Sequence, residues 1–94
     1  MRRRYLLAYD IADPKRLRRV CTLMEDHGYR LQYSVFICDL SAAELGELES
    51  EVSAVMHLLH DSIVRIDLGH TSDPTAVHTI GRGRSIPNAG PQIV

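Results

Sequence analysis

The seven residues "YLLAYDI", Tyr5 to Ile11, are apolar except at Asp10, and the run predicts a short strand buried on both faces. Asp13 then reads as a helix N-cap and Pro14 as the first helical residue, where a missing N–H costs nothing. Leu17, Val20, Cys21 and Met24 recur at helical spacing as one buried stripe, and Gly28 is expected to end the helix as a left-handed cap. In "YRLQYSVFICDL" Tyr29, Leu31, Tyr33, Val35 and Ile37 alternate with Arg30, Gln32 and Ser34, so the stretch is extended, as one strand or as two joined by a bend. "LSAAEL" predicts a second helix opened by a Ser41–Glu44 capping box, with Leu40 and Leu45 placed for a hydrophobic staple. Leu45, Leu48, Val52, Val55, Met56 and Leu59 carry its stripe to about His60. "DSIVRIDLG" follows as a strand ended by Gly69.

From His70 the pattern fades into a Gly- and Pro-rich tail in which "QIV" alone reads as a strand. The order is β-α-β(β)-α-β, which predicts an α+β sandwich with both helices on one sheet face. The split β-α-β unit makes the ferredoxin-like arrangement the expected topology. Residues 1–69 form its core domain, and residues 70–94 a tail that belongs with a dimer.

Composition changes this picture in three ways. A chain of 94 residues with four Tyr, one Phe and no Trp builds its core mainly from Leu, Val and Ile, and so small a core gains stability from a second copy. The net charge of -1 hides a segregation. Arg2, Arg3, Arg4, Lys15, Arg16, Arg18 and Arg19 crowd the first fifth of the chain, while the second helix carries Glu44, Glu47, Glu49 and Glu51. A near-neutral total therefore leaves room for a basic face that meets phosphates. Cys21 and Cys38 lack C-x-x-C spacing and sit at apolar-pattern positions, which predicts buried free thiols and fits a cytoplasmic protein. The apolar run after the opening arginines is too short for a signal peptide and is cut by Asp10; no stretch is long enough to span a membrane.

Asp10 is the most pointed candidate for chemistry. In ferredoxin-like order the first strand is central, so Asp10 ends a central strand beside a helix start. Such a carboxylate either accepts N–H groups of its own loop or serves as a hard oxygen ligand for Mg²⁺ or Mn²⁺. Spacing alone favours the loop role, because one carboxylate is a poor metal site. A two-fold axis near the strand end would bring two copies of Asp10 together, and a divalent cation would relieve their repulsion, polarise a phosphate and activate water. Arg16 and Arg19, three apart on one side of the helix, and Arg30 suit phosphate through their bidentate forks, whereas Arg18 points away from them; a solvated face is the plain alternative for the group. His57 and His60 share a helical face without a third ligand, and stabilising the helix C-terminus is their expected role. His27, His70 and His78 join no constellation. "GRGRS" lacks the Lys-Ser/Thr of a phosphate loop and opens no helix.

Taken in order, "AYDIADPKRLRRV", "GYRLQYSVF", the "LSAAEL" helix start and "DSIVRIDLG" resemble the Cas-two family, the small CRISPR-associated protein of spacer acquisition. The similarity runs from about Tyr5 to Gly69. It implies a ferredoxin-like homodimer, metal-dependent endonuclease activity on RNA or double-stranded DNA, and a place between dimers of the integrase Cas-one. It maps the family's strand-end acid to Asp10 with Tyr9 before it, its helix arginines to Arg16 and Arg19, its strand arginine to Arg30, and its Ser-Val-Phe signature to Ser34, Val35 and Phe36. An acid often follows that Phe in the family, whereas Ile37 and Cys38 stand here, so no second carboxylate is expected. Family tails often add a strand to the partner subunit, a role open to "QIV".

Two functions follow from the resemblance. As a phosphodiesterase, the pair of chains would hold Mg²⁺ or Mn²⁺ through Asp10, orient substrate with Tyr9 and Ser34, and bind its phosphates with Arg16, Arg19 and Arg30. As an adaptor, the dimer would span duplex DNA through its backbone and dock the integrase without cleaving. A single acid per chain with no general base nearby leans towards the adaptor. Independent of the resemblance, a ferredoxin-like regulatory module that binds a small ligand is the alternative, although no Gly-rich pocket signal supports it.

Overall fold

Both helices start as their caps dictate. In the computed structural model, which describes residues 1–71 and 76–83, the Asp13 carboxylate accepts the N–H groups of Lys15 and Arg16, each at 3.0 Å, and opens α1 (Pro14–His27). Ser41 and Glu44 cap each other reciprocally at the start of α2 (Ala42–Val55), and Leu40 and Leu45 of the expected staple are both buried.

Four strands, β1 (Arg3–Asp10), β2 (Tyr29–Gln32), β3 (Val35–Leu40) and β4 (Ser62–His70), form one antiparallel sheet in the order β2-β3-β1-β4. β1 is therefore central. The extended stretch after α1 is two strands, turned at Tyr33 and Ser34. The architecture is α+β and ferredoxin-like, as expected.

The period of two sorts each strand between the faces. Tyr5, Leu7, Tyr9 and, just beyond the strand, Ile11 join Phe36, Cys38 and Leu40 in a core closed by Val20, Met24, Leu45, Leu48 and Val52 of the helices. The alternate residues Leu6 and Ala8 pair with Ile37 and Val35 on one side and with Ile66 and Val64 on the other, which makes the opposite face apolar too. Val77 to Ile80 border a cleft on that face with Leu6, Leu31 and Val35, while Val64 and Ile66 stay 54% and 49% exposed.

Two local expectations are corrected. Gly28 is not a left-handed cap: its φ is -163°. Glycine is needed there for space, since a Cβ would lie 2.4 Å from both Cys38 Sγ and the Ile37 carbonyl oxygen. The second helix stops at Val55 rather than near His60, because Met56 is extended and the next residues turn back on themselves. The N–H groups of His60 and Asp61 both donate to the His57 carbonyl, and the Asp61 carboxylate accepts the His57 N–H. Leu58 and Leu59, which continue the apolar stripe in sequence, stand exposed on this turn. His57 and His60 face each other across it with ring centroids 4.3 Å apart. "QIV" lies outside the described residues.

Candidate metal and nucleic-acid site

Asp10 is the last residue of the central strand, paired with Ser62 of β4, and it is exposed. On its other side the Tyr9 N–H donates to the Ser34 carbonyl at 3.0 Å, so Ser34 in the β2–β3 turn and Ser62 flank the strand end. Alternation sets Asp10 on the same face as Leu6 and Ala8, the apolar face turned away from α1 and α2. Among the described residues its carboxylate has no hydrogen-bond or ion-pair partner. The loop role that spacing favoured is filled instead by Asp13, the cap, and by Asp61.

The same alternation turns Tyr9 the other way. It is buried under the helices with its ring stacked 6.2 Å from Phe36. Burial and a hydrogen bond to Cys21 raise its hydroxyl above the ordinary tyrosine range. A substrate reaching Asp10 on the open face therefore does not meet the Tyr9 hydroxyl. Arg30 lies on this inner side as well. It donates to the Tyr33 carbonyl at 2.9 Å and to Cys21 Sγ at 2.7 Å, with its guanidinium 5.1 Å from the Phe36 ring centroid.

The helix-one cations separate in a way that the sequence did not show. Arg16 forks onto Asp61, with Nε 2.7 Å from Oδ2 and Nη2 3.1 Å from Oδ1. The Asp61 side chain is 0% exposed, and Arg16, backed by the N–H groups of Ala12 and His57, holds its carboxyl well below the usual carboxylate range. Arg19 does not share that position. With Lys15 and Arg18 it rims a groove of about 540 Å³ whose remaining lining is Thr22, Leu23 and Val55. Arg18, set apart from Arg19 by helical spacing, thus stands beside it. None of Lys15, Arg18 and Arg19 has an ion-pair partner among the described residues. Asp61 is hidden from sequence reasoning because it reads as the first residue of a strand that in fact begins at Ser62; its one visible signal is an acid directly before an apolar strand.

The donor set can be judged for a hard cation. Asp10 offers the right chemistry, an exposed carboxylate left without partners. One chain falls short, since among the described residues no three His, Cys, Asp or Glu side chains gather as a metal site. A second copy bringing its own Asp10 would be needed to complete a pair of oxygen donors for such an ion.

The fold is that of a small ferredoxin-like domain whose central strand ends in an exposed acid with no partner among the described residues. The chain belongs to the family of CRISPR-associated protein Cas2, whose model matches residues 1–75. It is 39% identical over 88 residues to the CRISPR-associated endoribonuclease Cas2 2 of Thermodesulfovibrio yellowstonii, covering 94% of this chain and 93% of that protein. It is 40% identical over 68 residues to the CRISPR-associated endoribonuclease Cas2 3 of Synechocystis, covering 71% and 74%. Among solved structures, Streptococcus pyogenes Cas2 at pH 6.5 superposes with a TM-score of 0.74 at 34% identity, over 83% of this chain and 99% of that one. Among the described residues no helix is long and apolar enough to cross a membrane.

Proposed function

We propose that this Cas2-family protein acts in spacer acquisition as a homodimer that binds nucleic acid through its backbone and bridges dimers of the integrase Cas-one, with Mg²⁺- or Mn²⁺-dependent endonuclease chemistry at the paired Asp10 residues. The carrying observation is the placement of Asp10, exposed and without a partner among the described residues, on an apolar face that a second copy would cover. The half-exposed Val64 and Ile66 give that copy something to bury.

When bound, the divalent ion supplies Lewis-acid polarisation of a phosphate and lowers the pKa of water. The chain's own part is to hold Asp10 at a fixed strand end, to flank it with Ser34 and Ser62, and to gather phosphates with Lys15, Arg18 and Arg19. Arg16 and Arg30, engaged by Asp61 and by the β2–β3 turn, act on the fold that presents these groups. Both relatives are named endoribonucleases, which favours RNA as the cleaved substrate. Duplex DNA is the ligand that the bridging role requires. The adaptor reading without cleavage is favoured by the single carboxylate that each chain contributes.

The deciding experiment compares wild type with Asp10→Asn. Light scattering at micromolar concentration should give a dimer for both. Divalent-dependent cleavage of RNA and duplex DNA should disappear in the variant, and integrase-driven spacer integration should continue. Cleavage at the wild-type rate would remove Asp10 from the site, and a monomeric mass with activity retained would remove the pairing. Wild type that integrates spacers without cleaving either substrate would leave the adaptor reading alone.

A further inference from the structure

We propose that Asp61 is the positioning residue for the Asp10 carboxylate: one buried side chain sets where the end of the central strand points. The proposal rests on the reading of Asp10 as a metal ligand.

Three residues, Ile11, Ala12 and Asp13, separate the end of β1 from the start of α1. So short a connection without regular hydrogen bonding would let the strand end shift, yet it is held on both sides of its middle. The Ile11 side chain is buried in the core. The Ala12 N–H, two residues beyond Asp10, donates to Asp61 Oδ1 at 2.9 Å. Asp61 is itself fixed from two further directions, by the Arg16 fork at the first turn of α1 and by the His57 N–H at 2.8 Å in the turn after α2. The residue after Asp61 is Ser62, which pairs with Asp10 across the ladder. Asp61 is therefore tied to Asp10 by two routes, through the Ala12 N–H two residues along the chain and through its neighbour Ser62 across the sheet.

Such a grip matters more for metal binding than for an ordinary strand end. Two carboxylates that share a hard cation must each reach it within a few tenths of an ångström, and they repel until they do. A supporting shell left loose by about 0.5 Å is enough to spoil a site of this kind. A carboxylate suits the task better than an amide. It accepts from both main-chain donors and from both guanidinium nitrogens, whereas an Asn offers one accepting oxygen and loses both the charge and the second arm of the Arg16 fork.

The test is Mn²⁺ binding, followed by the electron paramagnetic resonance of the free ion, on the folded wild type and on Asp61→Asn and Asp10→Asn. Asp61→Asn should raise the Mn²⁺ dissociation constant about tenfold or more, as losing a support behind a ligand does. Its circular dichroism and dimer mass at the working temperature should match wild type. Asp61→Asn that binds with wild-type affinity, while Asp10→Asn has lost the ion, overturns this proposal and leaves the Asp10 reading standing. Asp10→Asn that binds like wild type overturns both. If Asp61→Asn does not fold, Ala12→Pro removes the N–H that Asp61 accepts and keeps the Arg16 pair, and Ala12→Gly, which keeps that N–H while changing the backbone at the same position, must bind Mn²⁺ like wild type. Ala12→Pro must weaken Mn²⁺ binding in the same direction, and unchanged affinity there overturns the proposal.

Discussion

Arg16 and Arg19 look equivalent along the helix, and the structure predicts opposite consequences for removing them. Arg16→Ala strands a fully buried carboxylate that keeps two main-chain donors, so its damage is to the fold. Removing one partner of a buried pair leaves an uncompensated charge at a cost of about 3 kcal/mol or more, so for a domain of this size a melting temperature lower by at least about 12 °C is expected. Arg18→Ala with Arg19→Ala takes two groove cations that have no partner among the described residues, so Tm should hardly change. Its damage is to binding. With roughly one counterion released per phosphate contact, losing two contacts makes the log–log salt slope shallower by about 1.8. Between about 50 and 200 mM salt, the drop in affinity for duplex DNA then shrinks by about 12-fold relative to wild type. Fluorescence anisotropy of a labelled duplex, read for two unrelated sequences, measures both slope and specificity, and the change should be alike for both. A fully stable Arg16→Ala whose slope flattens, beside an unaffected Arg18/Arg19 variant, would refute the division of roles drawn from the ion pair and the groove.

Gly28→Ala tests whether glycine is there for room or for backbone freedom. Its Cβ would meet Cys38 Sγ and the Ile37 oxygen at 2.4 Å. Overpacking of about 1–3 kcal/mol is expected, and Tm should fall by about 4–8 °C for each kcal/mol. Gly28→Asn should do no better than Ala, whereas at a left-handed cap it would be the better tolerated of the two; thermal melts of both variants decide. Acid unfolding tests Asp61. Its folded-state pKa is depressed below the ordinary 3.8, so its contribution is present above that value and is lost as the pH falls through the folded-state value. Wild type should therefore lose Tm more steeply than Asp61→Asn between about pH 4 and pH 2; parallel curves from circular dichroism would show that the pair adds nothing there.

What the chain determines alone is whatever neighbours in sequence decide among themselves. Asp13 with Pro14, and Ser41 with Glu44, open helices through bonds spanning two or three residues, and both formed as expected. The apolar runs and the α+β order were legible for the same reason, since burial of a stripe or a face depends on periodicity. Alternation along β1 also held the opposite fates of Tyr9 and Asp10, but a run apolar at every position before Asp10 hides which face each residue takes. The remaining features depend on contacts between distant parts of the chain. Asp61 reaches Ala12 and Arg16 across 49 and 45 residues, and no local spacing announces that meeting. It ends α2 early because the main-chain donor of His57 finds a buried carboxylate there, which outweighs an apolar stripe that would run on. Gly28 is glycine because β3 passes against it, not because its own backbone demands it. Arg16 became structural and Arg18 and Arg19 stayed on the surface because a buried anion takes the cation that packing brings to it, and only the packed helices and sheet settle which one that is.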